Sequence, residues 1–289
     1  MAIRSLEALE KACENKNIYD VILEDDCMER GVTREESEKK MADLYAAIQH
    51  SAQNYTPTLR SASGMAGGDG AKMRSYVKAG KTICGEELGQ VIAQALEMGE
   101  NNACMKCIVA APTAGSCGVL PAVLLPLWRS GNYNEEAICR ALYVSAGFGQ
   151  VVAARATLAG AEGGCQAEVG SAAAMAGAAL VQMLGGTPEQ ALDASSIALS
   201  NLLGLVCDPV GGLVEVPCQN RNAIGVAAAF SSAQLALAGI KSLVPFDQMA
   251  HVMLSVGHAL PATLRETAKG GIAQAPAALS ACAKCGVCG

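Results

Sequence analysis

A chain of 289 residues with a formal net charge of −6 lacks the basic surface that nucleic-acid binding needs. It is 51% hydrophobic but only 3% aromatic, a balance that turns away from a β-sandwich built on Val, Ile and aromatics and towards helices packed closely through alanine and glycine. The chain holds thirteen cysteines and has a start, MAIRSLEALEKACENK, too charged for a signal peptide; the cysteines point to metal or redox chemistry, with a reducing cytoplasm as the expected location.

Residues 1–32 are charged and mixed, with room for a short helix over Ile3–Lys16. Thr33-Arg-Glu-Glu36 is a capping box in which Thr33 caps a helix and Glu36 reaches back. That helix runs to near Gln53, with Met41, Leu44, Tyr45 and Ile48 facing inward. Residues 1–55 therefore read as an N-terminal helical arm that docks and carries no chemistry. Thr56–Gly70 is a glycine-rich loop, and Asp69 is placed to cap a helix from Ala71. Glu86–Glu100 is an amphipathic helix with Leu88, Val91, Ile92, Ala95 and Leu96 on one face. Cys104 and Cys107 make a CxxC with no second pair at zinc-ribbon spacing, and read as packing residues.

Ala111–Gly118, APTAGSCG, is a loop that enters a helix tolerating Pro121 in its first turn. Amides at such a helix start suit an anion. Those near Ala114 and Gly115, with the Thr113 hydroxyl, are candidates for holding a substrate carboxylate; an ordinary capped loop is the alternative. Helices follow over Asn134–Thr157, Gln166–Leu184, Thr187–Leu203 (Thr187 as cap, Pro188 at its first position), Asn220–Ile240 and Phe246–Lys269. The uncharged runs Ile108–Trp128, Val169–Pro188 and Asn222–Ile240 approach membrane-spanning length, but their Pro, Ala, Gly, Ser, Gln and Asn content marks core helices. With no strand pattern and no repeat, the fold class is all-α: a helical bundle with buried Ala/Gly-rich helices and functional loops. It reads as a single domain over 1–289, with a flexible Cys-rich tail over 270–289.

Three cysteines lie in loop and helix-start sequence: Glu162-Gly-Gly-Cys165-Gln-Ala-Glu-Val-Gly170, Cys207-Asp-Pro-Val-Gly-Gly212 and Val216-Pro-Cys218-Gln-Asn-Arg-Asn222. Loop cysteines that converge suit a metal or an iron–sulfur cluster, whereas buried free cysteine also packs as a small hydrophobe. Together with Ser63-Gly-Met-Ala-Gly-Gly-Asp69 and Ala111-Pro-Thr-Ala-Gly115, these segments resemble the alpha chain of the iron–sulfur-dependent bacterial L-serine dehydratases, from about Ser61 to about Arg265. The resemblance implies a [4Fe–4S] cluster on Cys165, Cys207 and Cys218, no pyridoxal phosphate, and conversion of L-serine to pyruvate and ammonia. Ser63, Thr113, Ala114, Gly115, Asn220 and Arg221 are the substrate-binding candidates, and Glu162 and Glu168 are nearby supporting acids. His50, His251 and His258 fall in no motif of the family. The Ser-His-Thr motif of its beta chain is absent, so no catalytic base is assigned in this chain; a beta subunit, in a hetero-oligomer, is expected to supply it.

The tail carries Cys282-Ala-Lys-Cys285-Gly-Val-Cys288, the front of a ferredoxin signature without its fourth cysteine and proline. Besides a solvated, disordered tail, and with Cys282 and Cys285 as fallback ligands, two functional readings stay open. Cys288 caps the open iron at rest and yields to serine, or the tail forms an electron-transfer site of its own. A cysteine desulfidase-type lyase using the same three thiolates is the nearer alternative.

Overall fold

The computed structural model describes residues 6–13 and 16–287. The chain forms α1 (Leu6–Ala12), α2 (Ile18–Arg30), α3 (Arg34–Gln53), α4 (Asp69–Lys78), α5 (Gly85–Ala103), α6 (Val119–Arg129), α7 (Glu135–Arg155), the single turn α8 (Gly160–Gly163), α9 (Ser171–Met183), α10 (Pro188–Ser200), α11 (Cys218–Leu237), α12 (Phe246–Ala259) and α13 (Pro276–Cys285). Among the described residues, an isolated parallel bridge between Cys207 and Arg265 is the sole sheet-like pairing. The all-α expectation holds.

Helix α9 is the axis of the bundle, with α6, α7, α10 and α11 packed around it. All its residues from Ser171 to Val181 are buried, so it has no polar face. Alanine and glycine let neighbouring backbones approach. Serine hydroxyls close the gaps by bonding carbonyls: Ser195 Oγ donates to Ala174 O (3.0 Å) and Ser145 Oγ to Met175 O (3.2 Å). Helix α7 is the one described helix long and apolar enough to cross a membrane by length and composition; most of its apolar window is buried inside the bundle.

Helix starts follow local chemistry. Thr33 and Thr187 make capping boxes with Glu36 and Gln190, and Asn134 accepts from the Ala137 amide. Asp69 departs from its expected role. Gly68, in the left-handed region (φ 83°), holds the cap position of α4 and Asp69 lies inside the first turn. The orphan amides of Asp69 and Gly70 instead donate to Glu100 Oε1 at 2.5 and 3.2 Å, a buried carboxylate delivered by α5.

The N-terminal region holds a helix that the sequence reading passed over. Ile18, Tyr19, Val21, Ile22 and Leu23 of α2 are buried and join the same core as Tyr45, Ile48 and α9. Leu44, expected inside, is 41% exposed. Helix α12 stops at Ala259 instead of continuing to Lys269, because Pro261 cannot extend it. The segment beyond does not run as a free tail: it forms 3₁₀ turns at Ala262–Leu264 and Gly271–Gln274, then α13. Helix α13 packs on the turn at Val210–Gly212, beside Cys207.

Candidate functional site

The three motif cysteines come from three different backbones. Cys165 follows α8 and leads into a five-residue π turn, Gln166–Gly170, that flows into α9. Cys207 lies on the loop after α10, and Cys218 opens α11. Their exposures are 3%, 3% and 8%.

Each is pinned from outside. Gln166 donates to Gly163 O (2.8 Å) and Met253 O (3.0 Å) and accepts from the Gly204 amide (2.8 Å), tying the Cys165 turn to the Cys207 loop. Cys207 is held through its backbone: its amide donates to Leu264 O (2.9 Å) and its carbonyl accepts from Glu266 N (2.7 Å). Asp208 is buried and accepts from Arg221 Nη2 and from the Ile272 amide, both at 2.8 Å. Arg221 Nη1 donates to Val206 O at 2.7 Å. One guanidinium thus anchors the Cys207 loop to α11, and Asp208 anchors the C-terminal segment to both.

The thiols feel one another. Burial pushes Cys165 up to about 11 and Cys218 up to about 12; burial and the charges of Glu168, Cys165, Glu266 and Cys218 raise Cys207 further. Arg221 works the other way on Cys165 and Cys218. Burial lowers Arg221 itself, but the Cys165 charge and Asp208 outweigh it and leave the guanidinium above its ordinary value. Three buried thiols that oppose one another's ionisation are a poor thiolate site alone and a good one around a cationic core. No three His, Cys, Asp or Glu side chains among the described residues are arranged to hold one metal ion. The donor set suits a multi-iron cluster, in which each thiolate binds a different iron.

Beside the thiols stands Glu168, on the π turn. Its Oε1 accepts from Thr113 Oγ1 at 2.7 Å, and its Oε2 lies 3.9 Å from Cys207 Sγ. Burial raises its pKa above the ordinary carboxylate value, and the Thr113 hydroxyl pulls it back. Thr113 opens the 3₁₀ turn Ala114–Ser116. The Ser116, Cys117 and Gly118 amides are taken by Thr113 O, Ala114 O and Asn222 Oδ1, whereas those of Ala114 and Gly115 meet no acceptor among the described residues.

The remaining candidates divide. Arg221 is in the site but fully engaged. Asn220 is exposed and is not brought to the thiols. Its neighbour Asn222 takes the inner position: it donates to Gly115 O (2.8 Å) and Cys218 O (2.9 Å) and accepts from the Gly118 amide (2.8 Å). The i, i+4 spacing of Cys218 and Asn222 on one helix was the available signal. Ser63 Oγ donates to Glu215 Oε2 at 2.5 Å and Ser61 Oγ to the same oxygen at 2.7 Å, so a buried carboxylate staples the glycine loop to the approach to Cys218. Glu162 is exposed and accepts from Thr157 Oγ1 at 2.5 Å. His50, His251 and His258 are exposed; His50 pairs with Asn54 and His251 with Arg155. Cys104 and Cys107 are half-buried and exposed, so Cys107 is not a packing residue. Cys288 lies outside the described residues; Cys282 and Cys285 are on α13.

The chain is all-α and brings three buried thiols and a carboxylate near an amide-bearing loop. The chain belongs to the serine dehydratase alpha chain family, whose model matches residues 13–273. It is 49% identical over 257 residues to the L-serine dehydratase alpha chain of Peptoniphilus asaccharolyticus, covering 89% of this chain and 88% of that one. It is 42% identical over 275 residues to the probable L-serine dehydratase alpha chain of Bacillus subtilis, covering 94% and 92%. The match to the L-serine dehydratase TdcG of Escherichia coli is 39% over 181 residues, covering 62% of this chain and 40% of that longer protein.

Proposed function

We propose that this chain is the alpha subunit of an L-serine dehydratase, a lyase of amino-acid degradation that removes water from L-serine to yield pyruvate and ammonia. The observation that carries the reading is the gathering of Cys165, Cys207 and Cys218 from three separate segments, in a chain nearly half identical to a named L-serine dehydratase alpha chain.

In this reading those three cysteines hold a [4Fe–4S] cluster, and no pyridoxal phosphate takes part. When bound, the cluster supplies a Lewis-acidic iron that turns the serine hydroxyl into a leaving group. The protein does the rest. The Ala114 and Gly115 amides receive the carboxylate, with Thr113 and Asn222 holding the loop in shape. Arg221 offsets the negative charge of Cys165 while fixing the Cys207 loop. Ser63, through Glu215, keeps the glycine loop over the approach to Cys218. Removal of the Cα proton needs a base that no histidine of this chain is placed to be, so a beta subunit supplies it and the working enzyme is a hetero-oligomer. Cys288 is the proposed occupant of the open position at rest. A cytoplasmic location and a role in feeding pyruvate to gluconeogenesis complete the proposal.

The test is to assay the chain with and without its beta subunit under anaerobic conditions. Pyruvate formation from L-serine in the pair, and little in the chain alone, is the expected result. Sulfide release from L-cysteine exceeding pyruvate formation from L-serine would move the assignment to a desulfidase. A reversible redox couple with no lyase activity would move it to electron transfer.

A further inference from the structure

We infer that the Glu168 carboxylate receives the α-ammonium group of the amino-acid substrate; the inference rests on the serine dehydratase reading and gives its site a specificity element. Glu168 is mostly withdrawn from water, and its hydrogen-bond partners are the Thr113 hydroxyl on Oε1 and the Cys207 sulfur near Oε2. Arg221, whose charge Glu168 feels, bonds Asp208 and Val206 O instead. A carboxylate in that setting lacks a cation, and an ammonium group brings one with three donors.

Two glycines let backbone pack directly on the carboxylate. Gly115 and Gly160 flank the carboxylate on two sides. A Cβ at Gly115 would lie 3.0 Å from Oε1, and one at Gly160 would lie 2.6 Å from Oε2 and 3.1 Å from Cys207 Sγ. Neither position tolerates a side chain without displacing Glu168. Gly115 also carries one of the two amides proposed to hold the substrate carboxylate. Donors for a carboxylate and an acceptor for an ammonium therefore lie side by side, and in an α-amino acid those two groups share one carbon. The pairing selects amino acids over hydroxy acids of the same shape. Glu162, six residues earlier in the chain, is no substitute, because it is exposed and turned to Thr157.

The experiment compares L-serine with L-glycerate, which replaces the ammonium by a hydroxyl. Serine is followed by its KM and glycerate by its inhibition constant against serine in the anaerobic alpha–beta complex, with iron content and thermal melting as controls. Glu168→Gln is expected to weaken serine binding about 10- to 100-fold, the loss of one charge-assisted contact, while glycerate binding changes little. Thr113→Val, which removes the hydroxyl that holds Oε1 in position, is expected to move the serine-to-glycerate ratio the same way by less, and carries the test if Glu168→Gln does not fold. Equal losses for both ligands, or an unchanged ratio in Thr113→Val, would overturn the inference and leave Glu168 a structural residue. If the unaltered complex neither binds nor converts serine, the serine dehydratase reading falls and takes the inference with it. If it converts serine and the ratio does not move, the Glu168 assignment alone falls.

Discussion

Replacing Asp208 by alanine should loosen the Cys207 loop and the C-terminal segment together. Asp208 is buried, and its pair with Arg221 has side-chain exposures of 3% and 13%. The substitution strands the Arg221 Nη2 and the Ile272 amide, each bonded at 2.8 Å. Removing one partner of a buried ion pair costs about 3–5 kcal/mol, most of it from the charge left behind. The exposed Lys39–Asp43 pair, with exposures of 74% and 65%, sets the scale for the alternative: its loss should cost under about 1 kcal/mol. Asp208→Asn keeps one acceptor and should fall between the two. Urea unfolding of both variants beside Asp43→Ala gives the magnitudes. Amide hydrogen exchange locates the change, which should rise over 205–208 and 262–275 and remain as before in α9. Arg221→Ala combined with Asp208→Ala should cost less than the two single losses added, because the stranded charge is gone. A loss no larger than that of Asp43→Ala, or exchange that stays flat over 262–275, would refute the claim that Asp208 joins these segments.

Three further outcomes follow from the packing. Asn222→Ala leaves the Gly118 amide and Gly115 carbonyl unpaired in a buried site, so it should cost about 1–3 kcal/mol in thermal melting and raise the serine KM of the alpha–beta complex with iron retained; an unchanged KM would detach the Ala114–Gly118 loop from substrate. Cys117 is fully buried and burial pushes it up to about 12, so it should resist thiol reagents in the native state while exposed Cys84 and Cys107 react. Because that value is raised from 9.0, its contribution to stability is complete below pH 9.0 and is lost as pH climbs towards about 12; Cys117→Ala should flatten that alkaline loss in melting curves, and native labelling of Cys117 would contradict the burial. Ala176→Leu, in the buried alanine-rich middle of α9, should overpack the bundle and cost about 1–3 kcal/mol, measured by denaturation; a neutral result would mean the core holds unfilled space.

Much of the scaffold could be read in advance because it is written in local chemistry. The Thr33 and Thr187 capping boxes, the Pro188 start and the alanine-rich run of α9 each declare their element within a few residues. The failures are tertiary. Asp69 has the right residue type for a cap, but Gly68 and the distant Glu100 provide it, and only the packed fold brings Glu100 there. Helix α2 was hidden because its buried run, Ile18 to Leu23, is broken by Asp20 and followed by Glu24, Asp25 and Asp26, and the helix has no side-chain cap. The motif cysteines were legible from their loop settings, but the pins that hold them were not: Gln166, Asp208 and Glu215 bond across 38, 64 and 152 positions of sequence. Asn220 and Asn222 sit two residues apart on α11, and the helix phase alone decides that Asn222 turns inward.

The central claim is that Cys165, Cys207 and Cys218 together hold an iron–sulfur cluster. It is tested most directly by iron and sulfide analysis, with Mössbauer spectra, of anaerobically prepared protein in which each of the three is changed singly to alanine. The account predicts about four irons per chain in the unaltered protein and loss of most of that iron in each variant, with Cys104→Ala and Cys117→Ala retaining it. Full iron in any one of the three variants, or loss of iron in the Cys117 control while the fold is intact, would contradict it.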